Sequence, residues 1–237
     1  MVEIAISLAV IGFALVAIIG VLPRGMRVQR QNREETIINQ DFAVFANAIR
    51  NGARGMDDLT NYVYEVRRYT QEYGGSTNPV GPPIISSYTY ANSTTTPFFP
   101  ITNGYRIVGL LGWPKYELGG KKRGFASNYV VAFVRALSGP ASEKPPQNNA
   151  EIKADAFSYR MICENMPVAS YDGNTPFGNR LTNNLHELRL TFRWPLSATG
   201  VAGNGRQTFR TLVGGHLMPT NNFGHPLFFF DPQSFAQ

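Results

Sequence analysis

The chain has one cysteine, Cys163, so no disulfide can form within it. That residue lies in AFSYRMICENM, a strand-like run without an obvious basic neighbour, and a buried, inert thiol is expected there. Histidine is almost as scarce: His186, His216 and His225 do not fall at metal-ligand spacing. The chain contains no G-x-S-x-G, H-E-x-x-H or P-loop pattern. Gly203-Asn204-Gly205-Arg206 reads as a turn, because no helix carrying a phosphate-binding lysine follows it. Charged residues make up only 16%, and no internal repeat of fixed period is present. These absences argue against an enzyme, and no catalytic or cofactor-binding residue is assigned.

What is present begins at once. Residues 4–22, IAISLAVIGFALVAIIGVL, carry no charge and are bounded by Glu3 and by Pro23-Arg24. As a helix this run is roughly 28 Å long, close to the thickness of a bilayer core. A secretory signal peptide would show a basic flank before the run and a small-x-small site after it, and neither is there. A membrane span is therefore expected. Glu3 is its informative residue, because a carboxylate at the edge of hydrocarbon is costly unless it is solvated, protonated or paired. It is either solvated among headgroups or paired with an α-amino group of its own chain or a neighbour.

VEIAISLAVIGFALVAIIG resembles the N-terminal segment of type IV pilins and of type II secretion pseudopilins. Glu3 matches the glutamate that registers each subunit against the next in those filaments, and Gly12 matches the glycine that follows it. In the family the glutamate is normally fifth after the prepilin-peptidase cut, and the helix-interrupting proline lies about a turn before Pro23. The resemblance implies an α+β, pilin-like fold: a long N-terminal α-helix, hydrophobic in its first half, packed on an antiparallel β-sheet head. It implies a processed, N-methylated subunit held in the inner membrane and then built into a pilus or pseudopilus with copies of itself by dedicated assembly machinery. The filament would stand at the cell surface or, for a pseudopilus, in the periplasm. Assembly contacts are expected from Glu3, Gly12, Phe13 and Pro23, and from the Arg30–Glu34 pair further along. The stretch from Gly12 to Pro23 is expected either to unwind locally or to kink at Pro23.

Net charge is +6 and the sequence pI is about 9.5. Much of the excess is local: Arg24, Arg27, Arg30 and Arg33 recur every three residues, and Lys121, Lys122 and Arg123 are consecutive. No nucleic-acid-binding motif accompanies them, so solvated or subunit-facing roles are expected and nucleic acid is not an expected partner. The positive-inside tendency would place the Arg24 side in the cytoplasm, opposite to pilin topology. In the family a basic leader offsets that tendency, so orientation follows from the resemblance alone.

Beyond Pro23 the pattern turns amphipathic. Ile38, Phe42, Phe45 and Ile49 share one helical face, with Arg30, Arg33, Glu34, Glu35, Gln40 and Asp41 largely elsewhere. Gly52 and Gly55 close the helix, dividing the chain into a helical segment, 1–53, and a head, 54–237. Residues 57–61 suggest a short helix, and 62–73 suits helix or strand. Residues 74–100, rich in Gly, Pro, Ser and Thr, read as a long loop with an extended stretch near 84–90. Asn92 in Asn92-Ser93-Thr94 fits the N-glycosylation pattern.

Strands are expected at 105–111, 125–137, 156–165, 185–194 and 207–213. In LHELRLTFRW, Leu188, Leu190, Phe192 and Trp194 alternate with Glu187, Arg189, Thr191 and Arg193, giving one core face and one wet face. Residues 140–154 and 166–184 read as loops. The one ligand idea is calcium at Asp172-Gly173-Asn174, where Asp172 and Asn174 offer oxygen ligands without the full EF-hand pattern. Phe223, Phe228, Phe229, Phe230 and Phe235 would close the head's core or dock on a neighbour. The competing functional reading is a single-span, membrane-anchored β-rich binding domain that does not polymerise.

Overall fold

The computed structural model describes residues 2–51, 57–74, 79–89, 101, 104–118, 125–139, 156–168, 185–197, 199–214, 217–222 and 225–230. Two compact units are present, Met1–Gln40 and Asp41–Gln237. The first belongs to helix α1, Val2–Asn51, which contains Pro23. Helical hydrogen bonding continues from Gly12 through Pro23, so no unwound stretch interrupts it. A proline removes a single donor, and helix-favouring residues on both sides carry the ladder past it. Every side chain from Val2 to Arg33 is exposed.

The second unit is built on an antiparallel sheet. Its strands are β1 (Val63–Tyr73), β2 (Ile84–Thr89), β3 (Tyr116–Leu118), β4 (Phe125–Arg135), β5 (Ser158–Pro167), β6 (Leu185–Leu196) and β7 (Ala202–Gly214). The order is β2-β1-β4-β5-β6-β7, with the short β3 also paired to β4. Beyond the sheet, β8 (Leu217–Asn222) and β9 (His225–Phe230) form a separate hairpin, whose β9 runs beside α2 (Gly104–Leu111). Its aromatic side chains lie outside the described residues. The α+β layout, with a long N-terminal helix and an antiparallel sheet, is thus present.

One face of the sheet is the core. Val66, Val130, Ala132, Val134, Tyr159, Met161, Cys163, Leu188, Leu190, Phe192 and Trp194 are all buried there. The last turns of α1 cover it: Phe45, Ala46, Ala48 and Ile49 are buried, and Phe42 stacks on Phe209 with ring centroids 4.1 Å apart. Ile38, on the same expected face, is also buried. The alternation read in β6 holds for its core face. On the other face Thr191 is buried and Glu187, Arg189 and Arg193 are half-buried, because long side chains on neighbouring strands cover one another.

Two local expectations change, and one open choice is resolved. Residues 105–111 were expected as a strand and form α2 instead. Ile107, Val108, Leu110 and Leu111 recur at helical spacing and are buried, and a short apolar run does not reveal its period. Residues 62–73, suited to either state, form the strand β1, and 57–61 form a 3-10 turn. Gly203 and Gly205, expected in a turn, lie within β7; the turn is at Ser197–Val201, where Gly200 takes a positive φ of 80°. The glycines admit a neighbouring ring. A Cβ on Gly205 would be 2.6 Å from the indole of Trp194, and one on Gly203 would be 2.7 Å from Cδ of Pro195.

Candidate assembly helix and head clamp

The predicted assembly residues lie in the exposed part of α1. Glu3 is in the first turn, where its carbonyl accepts a hydrogen bond from Ser7 Oγ at 2.9 Å. Phe13 is 80% exposed, and nothing stands within 4 Å of where a Gly12 Cβ would be. The Arg30 Nε–Glu34 Oε1 pair is made at 2.8 Å, one helical turn apart. Such an exposed i,i+4 pair contributes only about 0.3–0.5 kcal/mol. The apolar segment is long enough to cross a membrane by length and composition, and none of it is buried within the chain. Asp172, Asn174 and Asn92 lie outside the described residues. Among the described residues no cluster of His, Cys, Asp or Glu is arranged to hold a metal ion.

Spacing alone put Asp41 on the polar face of α1, and the structure corrects this: Asp41 is fully buried. Its Oδ1 accepts hydrogen bonds from Ser138 N at 3.0 Å and Ser138 Oγ at 2.6 Å. Its Oδ2 accepts from Leu137 N at 2.9 Å and Tyr159 OH at 2.8 Å. Four donors on two oxygens fill the acceptor capacity of a carboxylate. They clamp the helix to the end of β4 and the start of β5. Burial raises the Asp41 pKa above its ordinary value of 3.8, against the hydrogen bonds that pull it down. Tyr159, wholly buried and beside this carboxylate, is held well above the usual tyrosine range and remains a donor.

A signal for Asp41 existed in the sequence. It stands next to Phe42 and four residues before Phe45, on the border of the apolar stripe, but its partners are about a hundred residues away. Burial also pushes the Cys163 thiol far up, with the Glu164 charge adding to the effect, so the thiolate is disfavoured. His186 is buried with Nδ1 2.9 Å from Asn165 Oδ1, while Asn165 Nδ2 donates to the Gly112 carbonyl at 2.8 Å. This polar contact ties β6 and β5 to the end of α2.

No protein-family model matches the chain, and neither a curated protein nor a solved structure matches it.

Proposed function

We propose that this protein is the structural subunit of a type IV pilus-like or pseudopilus filament. Its apolar helix anchors it in the inner membrane and afterwards bundles with the same helix of other copies. One observation carries the reading: an apolar half-helix that the chain itself leaves wholly exposed, within one helix whose last turns form part of the head's core. Side chains such as Ile4, Leu8, Ile11, Phe13 and Ile18 are each more than half exposed and need a cover. A bilayer supplies it to a monomer, and neighbouring helices supply it in a filament. The resemblance of residues 2–20 to pilins favours the second as the final state.

In that assembly Glu3 pairs with the α-amino group of an adjacent subunit. A misregistered subunit leaves the carboxylate buried and unpaired, which penalises wrong packing. Negative-stain electron microscopy of the full chain after detergent removal should show filaments. Glu3→Ala should abolish or shorten them while the head keeps its melting temperature. Full-length filaments from Glu3→Ala would overturn the pairing, and protein that only inserts singly into liposomes would overturn the filament in favour of a monomeric anchored domain.

A further inference from the structure

The face of the sheet away from the helices carries an arrangement that assembly through α1 does not use. Tyr159 and Phe209 point toward α1, where they meet Asp41 and Phe42. Strand alternation therefore turns Arg160, Arg193 and Arg206 to the opposite face. Register brings these three side by side, Arg160 opposite Arg193 and Arg193 opposite Arg206, across β5, β6 and β7. Like charges placed directly opposite one another on a sheet are destabilising.

The acids on this face are committed elsewhere. Glu164 takes Lys115 at 2.7 Å, and Glu187 takes Arg189 at 3.2 Å and Arg210 at 3.8 Å. Glu65 takes Arg67 at 2.6 Å and accepts from Ser87 at 2.6 Å. Among the described residues Arg160, Arg193 and Arg206 form no ion pair, and the Nε atoms of Arg160 and Arg193 are buried without a hydrogen-bond partner. At one end the row meets Phe133, which stands opposite Arg160 and is buried under the Arg67 guanidinium at 4.7 Å, and Tyr64, 44% exposed, whose ring is 6.2 Å from that of Phe133.

We propose that this face binds an acidic polysaccharide, a carboxylate-bearing sugar chain lying across β5, β6 and β7. Adjacent strands are about 4.8 Å apart, so the three arginines are rooted in the sheet at about the scale of one sugar unit. Each guanidinium presents a planar fork that a carboxylate fills with two hydrogen bonds. The Tyr64 ring gives the apolar face of a sugar a flat surface to pack on. A flat sheet does not enter a duplex groove; of the rings on this face, Tyr129, 42% exposed, is already stacked on Tyr69 at 4.7 Å, so single-stranded bases would not find a series of free rings to stack on. A second copy of this chain carries a net charge of +6 and so is repelled overall by this basic face.

The test uses the full chain in a non-ionic detergent over immobilised polygalacturonate, with neutral dextran as control. Binding should weaken steeply with salt and be absent on dextran. The triple variant R160Q/R193Q/R206Q should lose about tenfold or more in affinity, with an unchanged or higher melting temperature because like charges are removed. R210Q, which removes one charge already paired to Glu187, should keep binding within about twofold. If the triple variant does not fold, R193Q alone should lose affinity while R210Q does not. Equal binding by the arginine-row variants, equal binding to dextran, or no binding to polygalacturonate would overturn the proposal. So would tighter binding to oligothymidylate or to phosphatidylglycerol vesicles.

Discussion

A carboxylate survives in a protein core when each of its lone pairs meets a donor, and Asp41 meets four. Asp41→Asn keeps the shape but turns an NH2 group toward N–H and O–H donors. We expect it to cost about 2 kcal/mol at neutral pH, read from denaturant unfolding. The pH dependence follows from burial. A folded pKa above 3.8 means that Asp41 contributes most stability below that value, and the contribution is lost as pH rises through the folded pKa. The stability gap between wild type and Asp41→Asn should therefore widen on acidification, other carboxylates being common to both proteins. A gap that narrows would show the hydrogen bonds outweighing desolvation. Gly205 poses a steric question instead, because its missing Cβ makes room for the Trp194 indole. Gly205→Ala should destabilise the head by about 1–3 kcal/mol, measured by thermal unfolding.

At the scale of elements, strands and helices were unequally legible. The strands β4, β5 and β6 were readable because alternation or a dense run of β-branched and aromatic residues marks a half-buried or central strand. The segment that became α2 misled, since GYRIVGLL is as apolar as a buried strand and too short to display a period. Strand β7 began earlier than expected, because two glycines that resemble a turn signal make room instead for β6: Gly205 for the Trp194 ring and Gly203 for Pro195. The apolar half of α1 was plain from residues 4–22, while the role of its last turns depended on Asp41 and Phe42 finding Tyr159 and Phe209.

For the molecule as a whole, the division into Met1–Gln40 and Asp41–Gln237 separates an exposed apolar helix from a unit with its own core. Deleting residues 1–25 should yield a water-soluble head that melts within a few degrees of the full chain in detergent, checked by size-exclusion chromatography and circular dichroism. An aggregating head would mean that the apolar helix also serves the fold.

The sequence by itself determined the long apolar helix, the β-rich head and the absence of recognisable catalytic motifs, because hydrophobic length, alternation and motif spacing are local properties of a chain. It also carried the resemblance on which the filament proposal leans. Only the tertiary structure decided that Asp41 is a buried clamp and that three arginines share one row. Both depend on strand register and on contacts between residues far apart in the chain, where packing and hydrogen bonding, rather than local pattern, choose the partners.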